Sequence, residues 1–190
     1  MKYMIASDIH GSEYYCKKLL KAWEESGAER LILLGDILYH GPRNDLPEGY
    51  APKNVIAMLN EKRERIFAVR GNCDTEVDQM VLEFPIMADY ALLHESGIVI
   101  YATHGHVFHE DHLPPLMDGD VLLHGHTHLL RAERKVVEEG RKKIVILNPG
   151  SVSIPKGGNP PTYAVLENGV FHILSFGGEI VKEMELGKGI

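Results

Sequence analysis

Short apolar runs that stop abruptly at acids, amides and imidazoles are what most restrict the fold open to this chain. Residues 3–6 run into SDIHG, with Asp8 and His10, and residues 31–34 run into Gly35 and Asp36. Residues 66–69 run into RGNCD, with Asn72, Cys73 and Asp74. Residues 98–103 lead to His104 and Gly105, and residues 121–124 lead to Gly125, His126 and His128. Such runs are too short for buried helices and suit strands covered on both faces. Between the first three runs lie helix-type segments. Residues 12–25 space Tyr15, Leu19, Leu20 and Trp23 at helical intervals before Gly27, and residues 53–63 do so with Val55, Ile56 and Leu59. Strands alternating with helices predict parallel βαβ units.

The second half changes character. Residues 90–93 and 98–103 flank a Glu-Ser-Gly turn and read as a hairpin, and residues 129–136 and 143–147 flank an acidic turn. Residues 163–166, 170–176 and 179–184 are separated by Asn-Gly and Gly-Gly, which are strong hairpin signals. The expected class is α/β, with two packed mixed β-sheets forming a sandwich flanked by helices. At 190 residues a single domain spanning 1–190 is the economical reading.

The formal net charge of −7 argues against an extended nucleic-acid surface. Bound metals can still reverse the local field for a small phosphate ester. No stretch approaches the roughly 20 apolar residues that cross a bilayer, so no membrane partner is expected. The N-terminal apolar run is too short for a secretory signal. The two cysteines, Cys16 and Cys73, make no disulfide framework, and a cytoplasmic thiol protein is expected.

Asp8, His10, Asp36, Asn72, His104, His126 and His128 together offer carboxylate, amide and imidazole. One histidine among eleven says little. Five polar segments, each ending an apolar run and each bearing a ligand type, say much more. In open α/β sheets, sites form beyond the carboxyl ends of strands. Glycines at 11, 35, 71, 105 and 125 stand beside these residues, where backbone must turn or approach closely. The set suffices for two divalent ions sharing one carboxylate, an arrangement that cleaves phosphate esters. Mixed nitrogen and oxygen ligands suit Mn²⁺, Fe, Zn²⁺ or Ni²⁺ better than Mg²⁺.

DxH, GD, GNxD, GH and GHxH in this order resemble the motifs of the calcineurin-like metallophosphoesterases, over residues 8–128. GDILYHGPRN, LPEGYAP, RGNCDTEVDQM, GHTH and NPGSVSIPKGGNP are similar to the YfcE-type bacterial phosphodiesterases, and extend the likeness to residue 160. The resemblance implies a four-layer metallophosphoesterase fold, a β-sandwich with helices outside. It implies that Asp8, His10, Asp36 and His128 hold one metal. Asp36, Asn72, His104 and His126 would hold the other, with Asp36 as the bridge and Mn²⁺ as the favoured ion. It implies hydrolysis of a small phosphate diester through a metal-activated bridging water or hydroxide, and is compatible with a homodimer or homotetramer. Phosphomonoester hydrolysis and a non-catalytic scaffold role, as in the retromer subunit that shares the fold, are the competing readings. Retention of all seven ligand types argues against the scaffold.

Catalytic positions are expected at Asn72, Cys73, Asp74 and His104. Many relatives carry histidine where Cys73 stands; a thiol is a poorer proton donor near neutrality, and Cys73 can equally be a space-filler. Asp74 reads either as a carboxylate orienting a ligand imidazole or as the N-cap of the following TEVDQM helix. His40, Arg43 and Arg70 are candidate substrate contacts. Lys156, in a segment expected to order backbone near the site, could meet substrate or another subunit.

Overall fold

The computed structural model describes residues 1–95, 97–137 and 140–187. The first apolar run becomes β1 (Tyr3–Ala6), and its side chains alternate between two interiors as a strand requires. Met4 and Ala6 face the helices, while Ile5 faces the second sheet. The same alternation holds in β2 (Arg30–Leu33), where Leu31 and Leu33 face the helices and Ile32 faces the sheet. β1, β2 and β3 (Ile66–Ala68) pair in parallel. β9 (Thr162–Glu167), β10 (Val170–Ser175) and β11 (Ile180–Glu185) extend the sheet antiparallel, giving the order β11-β10-β9-β1-β2-β3.

The second sheet has the order β4-β5-β6-β8-β7. β5 (Ile98–Thr103), β6 (Val121–Leu123) and β8 (Lys142–Pro149) are parallel, and β4 (Tyr90–Glu95) and β7 (Leu130–Val137) are antiparallel edges. The expected turns at Ser96 and at residues 138–139 fall outside the described residues. Both sheets are thus mixed and lie face to face, with Ile5, Ile32, Val121, Val145, Ala164 and Phe171 between them.

Helix α1 (Glu13–Ser26) starts at Ser12, whose hydroxyl accepts from the Tyr15 N–H, and ends at Gly27 in the left-handed region. Its buried face is Cys16, Leu19 and Trp23; Cys16 is core, although the apolar spacing did not count it. Helix α2 (Pro52–Asn60) is shorter than its sequence signal. After Leu59 no apolar residue follows until Ile66, so nothing holds another turn to the sheet, and a 3-10 turn (Arg63–Arg65) leads into β3. α1 and α2 both pack on the six-stranded sheet. The outer face of the five-stranded sheet carries Tyr101, Leu122, Ile144 and Ile146, which are covered by Phe108, Leu113 and Leu116 from the irregular connection after β5. That segment contains Pro114 and Pro115, which disfavour a helix there.

Helix α3 (Glu76–Val81) is capped by Thr75, not Asp74. Thr75 and Asp78 form a reciprocal capping box. This frees the Asp74 carboxylate for another task.

Candidate metal centre

The parallel strands β1, β2, β3, β5 and β6 all deliver their polar segments to one end of the sandwich, and the two sheets contribute to a single cluster there. Backbone geometry at this end is unusual. Asp8, His10, Asp36, His126 and His128 adopt φ of 60°, 49°, 54°, 64° and 60°. Among the described residues, the one other non-glycine residue with positive φ is Asn168, in a hairpin turn. Left-handed backbone at such residues costs on the order of 1 kcal/mol or more each, and it persists only where the surroundings enforce it. Here the β1 and β2 loops are laced together. Asp8, His10 and Gly11 donate backbone N–H bonds to the carbonyls of Gly35, Asp36 and Ile37 at 3.1, 2.9 and 2.9 Å.

The histidine orientations follow from the carbonyls behind them. His10 Nδ1 lies 2.7 Å from the Tyr39 carbonyl, His104 Nδ1 2.6 Å from that of Leu34, and His128 Nδ1 2.6 Å from that of Ile154. A carbonyl only accepts, so each Nδ1 carries the proton and each Nε2 turns a lone pair into the cluster when neutral. His10 Nε2 and His128 Nε2 stand 3.3 Å apart. His126 is reversed and presents Nδ1, 3.2 Å from His104 Nε2. The Asn72 carbonyl oxygen lies 3.1 Å from the same Nε2.

Asp36 sits between the two groups of imidazoles. Its Oδ2 is 3.8 Å from His10 Nε2 and 3.5 Å from His104 Nε2, while Oδ1 accepts from the Cys73 N–H at 2.8 Å. Asp8 Oδ1 is 3.6 Å from His10 Nε2 and 3.2 Å from His128 Nε2, and it is buried with no hydrogen-bond partner. Among the described residues, three sets bring their ligand atoms within 4.8 Å of one another: Asp8, His10 and His128; Asp36, His104 and His126; and His10, Asp36 and Cys73. An orphaned buried carboxylate oxygen facing imidazole lone pairs is the fit a divalent cation satisfies. Asp36 belongs to sets on both sides.

Several supporting roles escaped the sequence reading. Asp74 contacts neither a ligand imidazole nor the start of α3 as its cap. Instead its carboxylate accepts three backbone N–H bonds, from Asp36 at 2.8 Å, Ile37 at 2.9 Å and Gly71 at 2.7 Å. It therefore fixes the loops that carry Asp36 and Asn72. Ser151 and Ser153 donate to the Asp8 carbonyl, and Asn148 donates to the Gly125 carbonyl and to Thr127. The NPGSVS segment had signalled backbone ordering, but not which residues it orders. Close approach fixes the glycines at 71 and 125. A Cβ on Gly71 would lie 2.1 Å from Asp36 Oδ1, and one on Gly125 1.9 Å from Ser7 Oγ. Gly125→Ala is expected to lower stability by about 1–3 kcal/mol, the range for forcing an extra methyl into packed surroundings. Denaturant unfolding of the metal-free protein checks this; an unchanged midpoint counts against the tight fit.

The cluster forms the floor of a cleft of about 440 Å³. His10, Asp36, Asn72, His126 and His128 line it together with Cys73, Arg43, Asn44, Thr127 and Lys156. Two expected substrate contacts are not on its wall. The His40 ring packs edge-on against Tyr39 and Tyr50, and Arg70 Nε donates to the Asp74 carbonyl at 3.4 Å.

The sequence profile of the calcineurin-like phosphoesterase superfamily domain matches residues 1–169 of the chain. This protein belongs to the calcineurin-like phosphoesterase superfamily. It is 49% identical over 181 residues to phosphodiesterase YfcE of Escherichia coli (strain K12), covering 95% of each chain. The solved structure of the E. coli YfcE phosphoesterase superimposes with a TM-score of 0.92 at 48% identity, covering 98% of this chain and 100% of that one. Vacuolar protein sorting 29 from Cryptosporidium parvum shares the fold alone, at 16% identity and a TM-score of 0.55, covering 90% of this chain and 88% of that one.

The electrostatics of this phosphoesterase-superfamily site are set by burial working against close opposite charge. Burial alone would raise the Asp8 carboxyl, but the adjacent His10 and His128 rings, in their protonated form, hold it well below the usual range. Burial opposes the His104 imidazolium, yet its bond to Asp36 and the charge of Asp8 push it up to about 9. His126 is pushed down to about 4 by burial and by the nearby His104 charge. Burial and then the Asp36 charge raise the Cys73 thiol to about 12.

These values concern the metal-free protein and carry a sign. His104 sits above its ordinary 6.5, so its stabilising contribution is complete below about pH 6.5 and fades as pH rises through about 9. A metal ligand must be unprotonated. If His104 is a ligand, metal affinity should therefore climb roughly tenfold per pH unit between about pH 7 and pH 9, as its proton becomes easier to displace. Calorimetric titration with Mn²⁺ across that interval tests this, and a flat affinity contradicts it.

Proposed function

We propose that the protein is a metal-dependent phosphodiesterase that hydrolyses a small phosphate diester. The observation that carries this is the convergence of seven ligand-type side chains, with three imidazoles locked by backbone carbonyls so that Nε2 faces two buried carboxylates. The likeness to a protein named a phosphodiesterase supports the reaction type. Asp8, His10, Asp36 and His128 would hold one divalent ion, and Asp36, Asn72, His104 and His126 a second, with Mn²⁺ the favoured metal. Such a pair, when bound, supplies charge stabilisation for the phosphoryl oxygens and a water acidified enough to act as nucleophile.

The chain's own groups do the rest. Asp74 fixes the Asp36 and Gly71 backbone through its three accepted N–H bonds. The carbonyls of Tyr39, Leu34 and Ile154 keep three imidazoles in the tautomer that ligates. Of His40, Arg43 and Arg70, Arg43 reaches the cleft wall, where a guanidinium can meet an anionic oxygen. Cys73 also lines the cleft, but a thiol at about 12 gives up its proton poorly near neutrality, so departing groups that need no proton are favoured.

The test is turnover of bis(p-nitrophenyl) phosphate against p-nitrophenyl phosphate by Mn²⁺-reconstituted protein. The diester should be cleaved at least about tenfold faster and chelation should abolish the activity; turnover of neither ester, or a preference for the monoester, overturns the reading. Cys73→Ser should change the ratio of aryl to alkyl diester hydrolysis by less than about tenfold, whereas a hundred-fold-scale selective loss on the alkyl ester would make the thiol an effective acid.

A further inference from the structure

We infer that the cleft holds an anion subsite, formed by Arg43 and Lys156, for a negatively charged group on one alcohol of the diester. The inference rests on the phosphodiesterase reading and narrows its substrate class.

Both side chains line the same cleft as the ligand cluster. Neither forms an ion pair or a side-chain hydrogen bond among the described residues. Unpaired cations beside a reaction centre stand out in a chain of net charge −7. A simple phosphodiester carries a single negative charge, and the centre's own cations can meet it. Two further cations match a substrate with a second anionic group. The lining contains no Phe, Tyr or Trp, so no surface is offered for stacking a nucleobase.

Both cations are attached to the site's framework. The Lys156 N–H donates to the carbonyl of His128 at 3.1 Å, and His128 Nδ1 donates back to the Ile154 carbonyl. Asn159 Nδ2 donates to the Lys156 carbonyl at 2.7 Å and closes that turn. In the other lining segment, Asn44 Nδ2 donates to the His40 carbonyl at 2.8 Å and closes the turn that carries Arg43. Asp45 and Glu48 line an adjoining hollow, which Arg43 and Asn44 also border. They lie off the cleft wall, where the Asp36 of the ligand cluster supplies the carboxylate.

The experiment compares three p-nitrophenyl diesters whose second alcohol is propyl, 2-carboxyethyl or 2-phosphonoethyl. With Mn²⁺-loaded protein, one or both anionic esters should show a kcat/KM about tenfold or more above the propyl ester, mainly through KM, and the gain should shrink with salt. The larger gain identifies carboxylate or phosphonate as the preferred group. In Arg43→Gln/Lys156→Gln the preference should collapse to within about twofold, since the charge-assisted bonds are gone. Equal handling of all three esters, or a preference that survives in the double variant, overturns the subsite. If no ester is turned over, the phosphodiesterase reading falls separately. Calorimetric binding of the same three esters to the wild type and the double variant then reads the subsite directly, with equal affinities counting against it.

Discussion

Asp36→Asn is expected, on the proposed two-metal reading, to lose at least one metal equivalent and to cut kcat/KM for an aryl phosphodiester by roughly 10³-fold or more, the scale of losing charge stabilisation at a reaction centre. Asp36 Oδ2 faces His10 on one side and His104 on the other, so its charge serves both halves of the cluster. Asparagine keeps the size and still accepts the Cys73 N–H that Oδ1 accepts now, so the backbone should hold. The change therefore removes charge with little change of shape. Metal analysis after dialysis, read beside the hydrolysis rate, checks both halves. Retention of two equivalents with activity within about tenfold of wild type would remove Asp36 from its bridging role.

Asp74→Ala should destabilise the metal-free protein by about 3 kcal/mol or more. It strips acceptors from three backbone N–H groups, each worth roughly 1–3 kcal/mol when buried and unsatisfied. Asp74 is 1% exposed, so water does not readily replace it. Two of the three bonds go to one oxygen, Oδ2, from Asp36 and Gly71. Asp74→Asn can keep both through its carbonyl while setting its amide against the Ile37 N–H, so its cost should be smaller. Urea unfolding of the three proteins gives the ranking wild type, Asn, Ala. Equal stability of the alanine variant would mean that these loops are held by other contacts. Because Asp74 also positions the Asp36 loop, the alanine variant should bind metal more weakly as well, by about 10–100-fold, as loss of outer support usually does.

Much of this was legible because the chain writes it locally. Strand-length apolar runs, their alternation with helical spacing and the Asn-Gly turns specify two mixed sheets, since burial patterns of period 2 and 3.6 follow from backbone geometry alone. The inventory of ligand-type side chains was legible for the same reason: Asp8, His10, Asp36, Asn72, His104, His126 and His128 each follow such a run. Other features depend on partners far away in the chain. The Asp74 acceptors belong to residues 36, 37 and 71, and a carboxylate has no local signature for choosing them over an imidazole or a helix cap. His40 and Arg70 looked as well placed as Arg43 in sequence, yet loop packing turned only Arg43 toward the cleft.

The sequence by itself determined which elements form and which side chains could grip a metal, because period and chemical type are properties of residues. Only the tertiary structure decided where those side chains aim. The left-handed backbone at five candidate ligand positions, the carbonyls that set three of the imidazoles and the standing of Asp36 between two groups all arise where loops from two sheets meet. Strain of that kind survives only when long-range contacts outweigh it, so no local stretch of sequence can announce it.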